Sequence, residues 1–168
     1  TCCFTGHRPE KLPWHDQEDD PRCLALKARL DCALDQAYQA GYRHFLCGMA
    51  RGADFYFGEA VVALRQRRPG VTLESVIPFE EQAAHWNETD RDRYFALAAQ
   101  CDVETMLQCH YDKGCLLRRN RYMVDHSGLL IAVYDELLGG AMYTVNYARK
   151  KGRDVVILPT REDGEDQP

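Results

Sequence analysis

Short apolar runs alternate along this chain with stretches in which apolar residues recur every three or four positions. The first run, Thr1-Cys2-Cys3-Phe4, leads into Thr5-Gly6-His7-Arg8-Pro9. The second, Tyr42 to Cys47, leads into Gly48-Met49-Ala50-Arg51-Gly52-Ala53-Asp54. Further runs over 71–77, 103–107, 128–134 and 155–158 are short enough to be strands. Between them, Leu26, Leu30, Ala33, Leu34 and Ala37 share one helical face, closed by Gly41. Phe57, Ala60, Val61 and Leu64 share another, which stops before Pro69-Gly70. Residues 80–100 read as a polar, interrupted helix with Trp86 at its middle, and 116–126 and 139–151 as two more helices. This alternation with short links predicts a doubly wound α/β domain: a mostly parallel sheet with helices on both faces. It is expected to span 1–160, with 161–168 as a flexible acidic tail.

Parallel strands place all their carboxyl ends on one edge, so the turns 5–8, 48–54 and 135–140 are expected to converge there. Glycine turns ahead of helix N-termini bring backbone N–H groups and a favourable dipole towards an anion. Gly6 and Gly48 allow close backbone approach, and Gly52 does the same or packs a helix on the sheet. Arg8 and Arg51 offer paired N–H donors to phosphate or carboxylate. Asp54 is placed to cap the following helix or to meet a ligand. His7 is either an acid–base group or a hydrogen-bonded turn residue. Together these turns point to a nucleotide-like ligand.

Composition narrows the partners. The formal net charge is −5 and no basic stripe is interleaved with aromatics, which argues against nucleic acid as a partner. No apolar run approaches the ~20 residues of a membrane helix, so a cytoplasmic location is expected. The eight cysteines form no C-x-x-C pair. Cys101, Cys109, His110 and Cys115 match no familiar zinc spacing, so no metal and no cofactor are expected, and the thiols read as reduced.

Thr5-Gly6-His7-Arg8-Pro9, the segment 48–54, Pro78-Phe79-Glu80-Glu81-Gln82 with Trp86, Arg119-Asn120-Arg121-Tyr122-Met123, and Gly139-Gly140 followed by Thr144-Val145-Asn146-Tyr147-Ala148 resemble, in that order, the YpsA-like family of the SLOG superfamily. The likeness runs from Thr1 to about Thr160. It implies a modified Rossmann fold that binds nucleotides or nucleotide derivatives such as ADP-ribose, in a sensing or binding role with no settled catalytic activity. Relatives include the DNA-processing protein DprA and the LOG phosphoribohydrolases, which release a base from a nucleoside monophosphate.

By that resemblance the ligand would meet Thr5, Gly6, His7, Arg8, Gly48, Met49, Arg51, Gly52, Asp54, Arg119, Asn120, Gly139, Gly140 and Thr144. The alternative is an N-glycosidic phosphoribohydrolase. Where the LOG enzymes carry a catalytic Glu, three residues after the Thr, this chain has Tyr147, and a phenol does not replace a carboxylate beside an oxocarbenium-like centre. Glu59 and Asp135 are the candidate stand-ins. A base would stack on Tyr134, Tyr143 or Trp86, the segment around Trp86 is a candidate lid, and a homo-oligomer is possible.

Overall fold

The computed structural model describes residues 1–161, so all of the expected tail but its first residue lies outside the described residues. In chain order the elements are β1 (Cys2–Thr5), a 3₁₀ turn (Pro9–Lys11), α1 (Pro21–Gln39), β2 (His44–Cys47), α2 (Ala53–Arg67), β3 (Thr72–Ile77), α3 (Glu88–Ala98), β4 (Val103–Met106), α4 (Cys115–Asp125), β5 (Leu129–Val133), α5 (Gly140–Lys150) and β6 (Asp154–Leu158). All pairings are parallel, in the order β4-β3-β2-β1-β5-β6. The doubly wound parallel sheet expected from the pattern is the fold.

Alternation along each strand divides the interior in two. Cys2, Phe4, Phe45, Cys47, Leu73, Ile77 and Ile131 face α1, α2 and α3, where they meet Leu26, Leu30, Leu34, Phe57, Val61 and Leu97. Cys3, Leu46, Val76, Leu130 and Ala132 face α4 and α5, against Met123, Val124, Val145 and Ala148. Phe4 stacks on Phe57 with ring centroids 4.6 Å apart. Cys2, Cys3, Cys23, Cys47 and Cys115 are buried as small apolar side chains.

One expected element changes. The segment after β3 is a series of turns, and α3 begins only at Glu88, where the Asn87 side chain accepts the Asp90 N–H at 2.8 Å. Trp86 explains the turns. Its ring packs edge-on against Phe55 and Tyr94, at 6.1 and 5.6 Å between centroids, and so fixes the entry into α3.

The winding reverses between β1 and β5. From β1 the chain moves outward through β2, β3 and β4, and then returns by α4 to pair β5 on the other side of β1. Phe4 pairs Ile131 and Thr5 pairs Ala132, which brings the carboxyl ends of both central strands level. Loops leaving the two strands diverge to opposite faces, so a crevice opens there.

Candidate functional site

That crevice is a cleft of about 280 Å³, lined by the turn after β1 (Thr5 to Arg8), Lys11, Ala50, Asp54, the start of α4 with Arg119 and Asn120, and Gly140-Ala141 of α5. One end is rich in donors. Arg8 is exposed, and among the described residues its guanidinium has neither hydrogen bond nor ion pair. α5 has Gly139 at its N-cap and so no side-chain cap, and the first amides of a helix lack intrahelical acceptors. Lys11 Nζ donates to the Leu138 carbonyl, and a Cβ at Gly139 would lie 2.5 Å from that ammonium. The loop before α5 and the 3₁₀ turn therefore close together over this end.

The cleft wall also holds two buried residues of opposite charge, which influence each other without a direct ion pair. Arg119 is 4% exposed and Asp54 6%. Arg119 Nη1 donates to the Gly48 carbonyl and its Nε to Asn120 Oδ1 at 2.8 Å. Asp54 Oδ2 accepts the Ala50 N–H at 3.1 Å. Burial pushes the Asp54 carboxyl above its usual range, against the pull of Arg119, and burial likewise lowers the Arg119 guanidinium. A relay ties this pair to α5: Asn120 Nδ2 donates to Thr144 Oγ1 at 3.0 Å, and Thr144 donates to the Gly140 carbonyl at 2.8 Å.

Several of the expected residues serve this architecture from behind. A Cβ on Gly48 would lie 2.5 Å from Arg119 Nη1 and 2.9 Å from Asp54 Oδ2, so its bareness makes room for both side chains. Gly6 makes room for α2, where a Cβ would lie 2.6 Å from that of Ala53. Met49 is fully buried at φ 58°, with its carbonyl held by Gln82 Nε2 at 2.9 Å. The second glycine turn is not an open anion cradle: the Ala53 N–H at the start of α2 donates to the His7 carbonyl at 3.1 Å. Nor does Asp54 cap α2, whose N-cap is Gly52; its carboxylate turns back onto Ala50.

Other expectations are corrected by placement. Arg51 is outside the cleft, paired with Glu10 at 2.6 Å and Asp90 at 3.5 Å. Glu59 is also outside it, on α2, holding Arg93 with both oxygens at 2.7 and 2.9 Å. The Asp135 carboxylate is taken up by the Thr160 N–H at 2.6 Å and hydroxyl at 2.5 Å, a tie between the ends of β5 and β6. Trp86 is half-buried against the core and does not line the cleft, and the turns after β3 are pinned through Gln82. Tyr134 lies near His7, at 6.4 Å between centroids. Tyr143, 59% exposed, lines a second groove of about 210 Å³ that shares Leu117 and Asn120 with the cleft.

Sequence reasoning gave no cleft role to Lys11, Ala50, Leu116, Leu117 or Ala141, all of which line the cleft. Gln82 it marked only as part of a lid. Donating to both Gly48 and Met49, Gln82 is a clamp, and no local signal distinguishes it from a surface amide.

His7 is buried and accepts the Asp135 N–H at Nε2 over 3.4 Å, which leaves its proton on Nδ1. Burial lowers its pKa, Asp135 opposes this, and Lys11 adds to it. The unfolded chain therefore takes up a proton near pH 6.5 that the folded chain resists. The stability contributed by neutral His7 is present above about pH 6.5 and is lost as pH falls towards the lowered folded value. Urea midpoints at pH 7.5 and 5.5 should fall less for His7→Gln than for the unaltered chain; equal falls would contradict this.

The sheet order and the crevice at its switch point define a Rossmann-like protein. The model of the YspA SLOG family, short name YpsA, matches residues 2–156, and the chain belongs to that family. It is 28% identical over 162 residues to a UPF0398 protein of Bacillus pumilus, covering 95% of this chain and 87% of that one. It is 29% identical over 154 residues to the UPF0398 protein YpsA of Bacillus subtilis, covering 88% and 83%. Among solved structures, DNA processing protein A (DprA) of Streptococcus pneumoniae superposes with a TM-score of 0.64 at 16% identity, over 98% of this chain and 52% of that one. DprA of Helicobacter pylori, for which a single-stranded DNA binding mode is described, gives 0.61 at 16%, over 96% and 66%. The chain thus spans about half of the Streptococcus protein, and these likenesses bear on the fold. No helix among the described residues is long and apolar enough to cross a membrane.

Proposed function

We propose that this protein binds a nucleotide or nucleotide derivative, with a phosphate held at the donor-rich end of the cleft. The observation that carries the reading is Arg8: a guanidinium with no hydrogen bond or ion pair among the described residues, which Glu10 and Asp54 attract only at longer range, in a cleft that also holds the start of an uncapped α5. A helix N-terminus and a free guanidinium supply a phosphate with directed N–H donors and a favourable field. Leu116 and Leu117 add an apolar wall. The neighbouring groove, with Tyr143, Arg121 and Lys150, is where the second half of an ADP-ribose-like ligand would lie.

A thermal-shift screen of nucleoside mono-, di- and triphosphates, ADP-ribose and a short single-stranded oligonucleotide tests this. A ligand at about 100 times its Kd adds about 2.7 kcal/mol of stability. Arg8→Ala should leave unliganded stability within about 0.5 kcal/mol, as a surface change, yet weaken a phosphate-bearing ligand roughly tenfold or more. Stabilisation by the oligonucleotide alone would favour a DNA-binding role over the small-ligand one. Chromatography of the incubated nucleotide tells binding from N-glycosidic cleavage, and no stabilisation by any nucleotide would sink the reading.

A further inference from the structure

The cleft wall around Asp54 has its own chemistry. Asp54 lines the cleft, is 6% exposed, and has only one oxygen occupied: Oδ2 accepts the Ala50 N–H, while Oδ1 accepts nothing among the described residues. Beside it on the cleft wall stands Thr5, a buried residue whose hydroxyl makes no hydrogen bond among the described residues. Among the described residues Oδ1 is not one of the sealed unpaired atoms, so it opens on the cleft and is free to accept from a donor that enters there. A hydrogen bond to a charged acceptor is worth more than one to a neutral group. Arg119, bonded to Gly48 and Asn120, attracts this carboxylate without filling Oδ1.

We propose that Asp54 makes this a ribose-selective site: Oδ1 accepts a hydrogen bond from a sugar hydroxyl of a ligand whose phosphate sits at Arg8 and the start of α5. This rests on the phosphate reading above and adds the class of sugar. A carboxylate here repels a second anionic group, so a sugar carrying a phosphate there is disfavoured. It welcomes a hydroxyl, which donates to it and is left with water as its only alternative. A deoxyribose lacks one such donor, so it covers Oδ1 and shuts water out without replacing the lost hydrogen bond. Selectivity against missing hydroxyls is steep for this reason: the loss is that of a charged, desolvated group left unpaired. By this account the cleft disfavours DNA, whose sugar has no 2′-hydroxyl.

Calorimetric titration tests the assignment with defined probes: AMP, its 2′-deoxy and 3′-deoxy analogues, ribose 5-phosphate and 2-deoxyribose 5-phosphate. The unaltered protein should bind AMP roughly tenfold or more tightly than at least one deoxy analogue, as expected for a hydrogen bond to a charged group. Ribose 5-phosphate should show the same preference, which removes the base from consideration. Asp54→Asn still accepts from Ala50 but turns an amide N–H₂ towards the cleft, and the preference should collapse to within about twofold. Deoxy and ribo ligands binding the unaltered protein alike, with binding still weakened by Arg8→Ala, would overturn ribose selection and leave the phosphate reading standing. Failure of every one of these probes to bind would overturn both. The comparison of analogues on the unaltered chain stands even where Asp54→Asn folds poorly.

Discussion

Replacing Arg119 with alanine is expected to destabilise the fold by about 3 kcal/mol, the cost of leaving the buried Gly48 carbonyl without its donor and the buried Asp54 carboxyl without the nearby cation. For a chain of this length that corresponds to a fall in Tm of roughly 10 °C. The guanidinium is 4% exposed and spans three elements, holding the Gly48 carbonyl after β2 and Asn120 beside it, and facing Asp54 of α2. Its removal leaves a carboxylate whose burial already raises its pKa, now without the cation that opposed that rise. A pH signature follows. In Arg119→Ala the folded state holds a proton on Asp54 more tightly than the unfolded chain does, so lowering the pH favours folding. The gap in unfolding free energy between the variant and the unaltered protein should therefore narrow from pH 7.5 to 5. A gap constant across that range would contradict the influence of Arg119 on Asp54. Arg119→Lys keeps the charge but not the fork that reaches Gly48 and Asn120 together, and should recover only part of the loss.

Gly52→Ala is the second large effect, at roughly 2–4 kcal/mol of strain and displacement. Gly52 has φ 85° and ψ −127°, a conformation that side-chain-bearing residues avoid. A Cβ there would also lie 2.8 Å from the His7 carbonyl oxygen and 2.9 Å from Pro9 Cδ. These are backbone and ring atoms, which cannot swing aside as a side-chain tip does. The His7 carbonyl is moreover the acceptor of the Ala53 N–H, so relief of the clash pulls the β1 turn from the start of α2. Gly41 is the control: its φ is 100°, but nothing lies within 4 Å of a Cβ placed there. Gly41→Ala should cost only about 1 kcal/mol, from backbone strain alone. Comparable losses for the two variants, by urea titration, would remove the close approach of Gly52 to His7 from the account.

The architecture was legible because both periodicities are strong. Leu26, Leu30, Ala33, Leu34 and Ala37 are all buried along α1, and the run 128–134 holds the fully buried β5, paired between β1 and β6. Convergence of the first and third turns followed from parallel strands alone, and they do meet in the cleft at Gly6, Arg8 and Gly140. What the sequence did not give is which of two like residues faces inward. Arg8 and Arg51 both stand in glycine turns, but Arg51 makes ion pairs with Glu10 and Asp90, carboxylates distant in sequence, whereas Arg8 makes none among the described residues. Among carboxylates, Glu59 meets Arg93, Asp135 meets Thr160, and Asp54 alone of the three lines the cleft. Such pairings are decided by how helices pack, which no local pattern encodes. The turns after β3 defeated periodicity for a related reason: Gln82 and Trp86 are held by β2-loop carbonyls and aromatic edges.

The most direct test of the account is a titration of ¹⁵N-labelled protein with AMP, following backbone amide shifts. Binding at the switch point predicts the largest changes at Gly6, His7 and Arg8 and at Gly140, Ala141 and Met142, with the Asn120 side-chain amide moving in step. Changes concentrated on the β4 edge or the far ends of α1 and α2, or none at saturating nucleotide, would contradict it.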